Sequence, residues 1–281
     1  MQSDHSNKMD GMVAIVTGAS RGLGRAIAKE FAAEGAKVVV SARRDSPTGL
    51  PGTAVETATQ IRDQGGEAMA LTCDVSNEEQ VVSMVNQTID RYGQIDVLVN
   101  NAGVMVLGDT ILDIDPEKWD RSVAANLRGP YLCCRSVLPW MIERGRGSII
   151  HIGSRMGSDH DQGGGVLYSS TKAAVHMFSY CLADEVREHN IAVNILSPGG
   201  LKTEGSAAIP WTQRDWDQRV EPEAVGPSAV YLALQDASTF TGQYVLRAEL
   251  GETWGVSLSA VSGQRSEYNS ESGSSALFGR D

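Results

Sequence analysis

Six short apolar runs, at residues 13–16, 38–40, 68–73, 97–100, 148–152 and 191–196, alternate with longer helical patterns along the chain. Such runs lack the apolar/polar alternation of a strand with one wet face, and they read as strands buried on both faces. The first of them is stopped by Thr17-Gly18. A helix follows with Ile27, Ala28, Phe31 and Ala32 on one face and Gly35 as its C-cap. Further helices are expected over 55–63, 78–92, 116–144 and 165–188. Strands alternating with helices predict an α/β doubly wound parallel sheet with right-handed crossovers and helices on both faces. Two stretches interrupt the rhythm: a Pro/Gly-rich insertion at 45–53, and a polar, irregular segment at 199–220 that suits a mobile cover over a pocket.

The 281 residues are expected to form one domain at 11–256, between a flexible N-terminal segment (1–10) and a flexible Ser/Gly-rich tail (257–281). A formal charge of −11 disfavours a nucleic-acid partner, which needs a clustered basic face. No apolar run approaches the ~18 residues that span a bilayer, and the polar start lacks leader features, so a cytoplasmic protein without a membrane role is expected. The four cysteines and five histidines follow no ligand spacing, and no metal site is expected.

Gly18, Ser20, Arg21, Gly22, Leu23 and Gly24 lie where a buried strand meets a helix. Glycines there let the backbone approach a pyrophosphate, which the free N–H groups of a helix start can bind. The whole therefore reads as a Rossmann-type domain. Tyr168 and Lys172 stand at i and i+4 early in a predicted helix and share one face. Tyrosine titrates near ~10, and an ammonium one turn away would lower that value toward the working range. Ser154 ends a buried strand, where its hydroxyl could hold a carbonyl oxygen at the carboxyl edge of the sheet.

In these motifs the chain resembles the short-chain dehydrogenase/reductase family over roughly residues 12–242. Thr17–Gly24 matches the family's T-G-x-x-x-G-x-G, Asn100-Asn101-Ala102-Gly103 its N-N-A-G, and Tyr168 through Lys172 its Y-x-x-x-K. Asp74-Val75 matches the adenine-binding pair, and Pro198-Gly199 through Thr203 the P-G-x-x-x-T. The resemblance implies a catalytic tetrad of Asn126, Ser154, Tyr168 and Lys172. Tyr168 would exchange the proton of the reacting oxygen, and Ser154 would steady that oxygen. Lys172 would depress the Tyr168 pKa and bind the nicotinamide ribose, and Asn126 would hold a water of a proton relay. It also implies a homo-oligomer, dimer or tetramer, although the usual D-G-G is replaced within residues 243–251, QYVLRAELG.

At the end of the second strand the family's acidic position is Ala42, followed by Arg43 and Arg44, with Arg21 nearby in sequence pattern. Arginines favour a ribose 2′-phosphate, so NADP(H) is favoured over NAD(H). By family analogy Val104, Met105, Arg155, Met156, His160, Leu201, Trp211 and Trp216 line the substrate pocket. Met and Trp suit an apolar ketone or alcohol, whereas Arg155 would suit an anion. The expected activity is NADP(H)-dependent interconversion of a small to medium secondary alcohol and a ketone, in the reductive direction. Its rivals are an NAD-linked alcohol or hydroxysteroid-type dehydrogenase and a silent dinucleotide sensor or scaffold. Reduction of a carrier-bound acyl ketone would want a basic docking patch that this acidic chain does not advertise.

Overall fold

A computed structural model describes residues 7–43, 49–159 and 165–250, with the side chain of Trp211 excepted. Seven parallel strands form one sheet in the order β3-β2-β1-β4-β5-β6-β7. They are β1 (Val13–Thr17), β2 (Lys37–Ala42), β3 (Glu67–Thr72), β4 (Val97–Asn100), β5 (Gly147–Ile152), β6 (Ile191–Ser197) and β7 (Tyr244–Leu246). The helices are α1 (Gly22–Ala33), α2 (Ala54–Asp63), α3 (Glu78–Tyr92), α4 (Pro116–Val123), α5 (Gly129–Arg144), α6 (Val166–Glu185), α7 (Glu204–Ala207) and α8 (Gly226–Ala233).

The uninterrupted apolar runs have a simple cause. Successive strand residues face opposite sides, and both sides are covered. Ala14, Val16, Val38 and Val40 join Ile27 and Phe31 of α1 and Leu232 of α8 in one core layer. Ile15, Val39, Leu98 and Ile149 join Met84 of α3, Leu132 of α5 and Leu182 of α6 in the other. Local signals set the helix ends. Thr53 and Glu56 form a reciprocal capping box at α2, Asn77 caps α3, and Asp115 caps α4 with Pro116 in the first turn. Three thiols are sealed in this packing. Burial pushes Cys73 up to about 11 and Cys134 up to about 12, and raises Cys133 as well, while Cys181 stands exposed on α6.

Strand order runs outward from β1 in one direction and from β4 in the other, so a crevice opens between the loops that follow those two strands. Three differences from the sequence reading bear on it. The helix expected over 116–144 is broken into α4 and α5 by a π turn at Ala124–Arg128. The stretch at 199–220 is built rather than irregular. A bridge between Leu201 and Val220 closes its neck, α7 and the 3₁₀ segment Pro210–Gln218 fill it, and Asp215 pairs with Arg219 at 2.9 Å. Finally, α8 and β7 complete the sheet after it, and Arg247 donates from Nε to the Pro198 carbonyl at 3.2 Å. Residues 1–6, 45–48 and 257–281 lie outside the described residues, whereas Met9, in the N-terminal segment expected to be flexible, is buried in the core and donates its N–H to the Glu34 carbonyl at 2.8 Å. Among the described residues no helix is long and apolar enough to cross a membrane.

Candidate active site

The glycine turn after β1 and the Asn-Asn-Ala-Gly segment after β4 are one brace. Thr17 donates from Oγ1 to the Val99 carbonyl at 3.1 Å and accepts from the N–H groups of Asn101 and Ala102, each at 3.1 Å. Asn101 donates from Nδ2 to the carbonyls of Thr17 at 2.8 Å and Gly18 at 3.1 Å. Gly18 takes φ +66°, and a Cβ on it would lie 2.8 Å from the Ala102 Cα. A Cβ on Gly24 would meet the Gly18 carbonyl oxygen at 2.5 Å. No larger residue fits either position.

The start of α1 carries an anion of the protein's own. The Gly22 N–H donates to the Glu204 carboxylate at 3.0 Å, and Arg25 forms an ion pair with the same group. A helix N-terminus favours negative charge, so the donor set here fits a dinucleotide pyrophosphate. Leu23 turns into the core, and Arg21 donates to the Gly52 carbonyl at 3.1 Å, tying the end of the insertion to the turn. Gly22, Arg25, Lys202, Thr203, Glu204 and Trp216 line a cleft of about 560 Å³ here.

Along the rim, Arg43 is exposed directly after the buried Ala42. Asp74 accepts from the Ser76 N–H at 2.9 Å and hydroxyl at 2.7 Å, while the Val75 side chain is buried in the core. Thr203 caps α7 through its hydroxyl, and Gly199 takes φ +78° beside Pro198. Arg44 lies outside the described residues.

On α6, Tyr168 and Lys172 stand one turn apart, with the Lys172 Nζ 5.6 Å from the Tyr168 ring centroid. Lys172 is buried and donates to the Ile152 carbonyl at 2.7 Å. Ser154, immediately beyond β5, caps the 3₁₀ turn Arg155–Gly157 and hydrogen-bonds the Tyr168 phenol. The three side chains that the sequence joined are therefore brought together. Their electrostatics differ from expectation. Burial pushes Tyr168 up to about 12, against a downward pull from Ser154, and burial brings Lys172 down to about 8. Desolvation outweighs the ammonium that was expected to depress the phenol.

Asn126 sits inside the π turn, a distortion frequent at functional sites. Its Oδ1 accepts from the Val104 N–H at 2.6 Å, and its Nδ2 donates to the Val104 carbonyl at 2.8 Å and the Thr171 hydroxyl at 3.1 Å. The Asn126 side-chain amide thus clamps α6 to the loop after β4. Gly103 passes over it, where a Cβ would lie 3.0 Å from Oδ1.

Of the expected pocket residues, Val104 is fixed by Asn126, Met105 is exposed beside it, and Met156 is half-buried in the turn after Ser154. Arg155 lies 3.8 Å from the Asp159 carboxylate, a partner within its own turn. Leu201 packs in the core with Val225 and Leu196, where its strand-like bridge to Val220 turns it inward. Trp216 is brought to the α1 end of the site. His160 and the Trp211 side chain lie outside the described residues. Among the described residues no three His, Cys, Asp or Glu side chains are grouped to hold a metal. The bracing residues Thr17, Thr171 and Glu204 were missed. Thr17 had a signal in its place before the glycines, whereas the other two act across distances that sequence does not show.

The sequence profile described as short chain dehydrogenase matches residues 12–213. Elsinochrome reductase 1 of Elsinoe fawcettii is 36% identical over 209 residues, 74% of this chain and 75% of that protein. The 3-oxoacyl-[acyl-carrier-protein] reductase of Synechocystis sp. is 37% identical over 237 residues, 82% of this chain and 93% of that one. Among solved structures, a metagenomic short-chain oxidoreductase in complex with NADP superposes with a TM-score of 0.70 at 33% identity, covering 85% of this chain and 97% of its own.

Proposed function

Because the chain belongs to the short-chain dehydrogenase family, and is an oxidoreductase acting on a small molecule, we propose that it reduces the carbonyl of a small to medium apolar ketone with NADPH. The observation that carries this reading is the convergence of Tyr168, Ser154 and Lys172 at the carboxyl edge of the sheet. A bound nicotinamide dinucleotide would supply the hydride. Gly18, Gly22 and Gly24 would leave room for its pyrophosphate, Pro198-Gly199 and Thr203 would hold its nicotinamide side, Asp74 would bind its adenine, and Lys172 would hold its ribose. Ser154 orients the substrate oxygen and steadies the charge that grows on it. Tyr168, fully protonated at neutral pH with a pKa near 12, gives its proton to that oxygen as the alcohol forms. Buried Lys172, at about 8, is an acidic ammonium that can restore the phenol. Asn126 keeps the α6 face in register with the loop after β4.

The preference for the phosphorylated cofactor rests on Arg43, which follows Ala42 where an acid would read a free ribose hydroxyl. The NADP carried by the metagenomic relative supports it. Exposed apolar side chains on α5 and α6, among them Tyr131, Trp140 and Met177, support a homo-oligomer. The test is initial-rate consumption of NADPH and NADH against aliphatic, aryl and cyclic ketones, with Tyr168→Phe as the blank. Turnover that vanishes in the blank while NADPH affinity stays within about twofold is expected. Turnover retained by Tyr168→Phe would remove the assignment, and none in the wild type would favour the silent-sensor reading.

A further inference from the structure

His176 follows Tyr168 and Lys172 on the same face of α6, at positions i, i+4 and i+8. The imidazole is buried, 5% exposed, and the Ser154 N–H donates to its Nε2 at 3.3 Å. On the other side of the ring, Nδ1 lies 3.0 Å from the Ser158 hydroxyl. A neutral imidazole that accepts at Nε2 carries its proton on Nδ1, so the second contact is a donation to Ser158. Both ends of the turn that begins with Ser154 are therefore pinned to one ring. The backbone is shaped for it: a Cβ on Gly153 would lie 2.7 Å from Nε2, and one on Gly157 would lie 2.9 Å from Cε1. The Tyr244 ring of β7, 5.0 Å away, packs against the imidazole.

Ser154 belongs to the strand side of the site and Tyr168 to the helix side, and a misplacement of ~1 Å between such groups can cost 10²-fold in rate. We infer that His176 is a positioning residue, which fixes Ser154 against Tyr168 by accepting the Ser154 N–H and donating to Ser158. Burial and the neighbouring Lys172 ammonium hold His176 down at about 4, which keeps the ring neutral and able to accept.

The inference rests on the reductase reading, and the test separates the two. The full chain is assayed with NADPH and a ketone that the wild type reduces. His176→Gln keeps an acceptor within reach of the Ser154 N–H, His176→Asn is too short to reach it, and His176→Leu has none. A 10- to 100-fold loss of kcat is expected in the Asn and Leu variants, with the Gln variant within about fivefold of wild type and KM for NADPH within twofold throughout. Equal kcat in the Gln and Asn variants overturns the role, as does a loss of kcat matched by an equal loss of NADPH affinity. That pair suffices if the Leu variant does not fold. Imidazole ¹⁵N spectra of the wild type supply a readout without turnover. An Nδ1–H tautomer for His176 from pH 6 to 8 supports the contact even if no ketone is reduced, in which case only the reductase reading fails. An Nε2–H tautomer overturns it whatever the activity.

Discussion

Lys172 is the residue whose charge the pH range of activity should report. With its ammonium brought down to about 8, it loses its proton not far above neutrality. Reductive kcat is expected to hold from pH 6 to 7.5 and to fall above about pH 8, and Lys172→Arg should move that fall upward. A profile flat to pH 10 would contradict the role given to Lys172. The buried histidines set a limit on the acid side. Burial lowers His151 to about 3 and His176 to about 4 from an ordinary 6.5, so the unfolded chain takes up protons first. The sign follows: stability falls with pH below 6.5 and goes on falling until the folded values are reached. Between pH 7 and 5 the loss is about 2 kcal/mol for each ring, which urea midpoints at the two values would measure. At this scale the motif residues Tyr168, Lys172, Ser154 and Gly18 were legible because each type is chemically specific at its spacing. Their protonation was not, since it depends on burial of the phenol in the folded chain, which spacing along the sequence does not show.

Among the elements, the α4–α5 helix shows both what periodicity reveals and what it hides. Its span, Pro116 to Arg144, follows from Asp115 as cap, Pro116 in the first turn and Gly145 in the left-handed C-cap conformation. The π turn inside it leaves no such mark: one extra residue moves the apolar phase by about 100°, but the eight residues of α4 bury only Ser122, so no phase is set before the turn. Yet that turn aims Asn126 at Val104 and Thr171. Asn126→Asp would keep the acceptor for the Val104 N–H but set a carboxylate against the Val104 carbonyl. A stability loss of about 2–3 kcal/mol is expected, as for a buried polar group left without its partner. A fall in kcat of at least tenfold should accompany it. Urea denaturation and steady-state kinetics would show both, and an unchanged kcat would mean that the clamp serves stability alone. The segment at 199–220 was read as irregular for a related reason. Its order comes from the neck between Leu201 and Val220 and from the Thr212 hydroxyl bonding the Ile209 carbonyl at 2.7 Å, neither of which has a periodic signature.

For the whole molecule, six of the seven strands were visible as apolar runs, and their alternation with helices was enough to imply a parallel sheet. β7 is three residues long, too short for a pattern, and it is held by pairing with β6 and by its buried Val245. Copies of the chain should associate through the apolar side chains that α5 and α6 leave exposed, among them Trp140 at 36% and Met177 at 46%. Sedimentation velocity is expected to give a mass above the 30.0 kDa of one chain, reduced by Trp140→Glu. A single species at the monomer mass would remove that assembly. The distribution of thiols offers a different use of the same architecture. Cys73, Cys133 and Cys134 are protonated and enclosed, whereas Cys181 is open on the helix that carries Tyr168, about 20 Å farther along its axis. On the Trp140→Glu chain, whose α6 face is left uncovered, a maleimide dye should therefore couple once per folded chain, and each further coupling counts a molecule that has opened, so that mass spectrometry of the labelled protein becomes a clock for unfolding under native conditions.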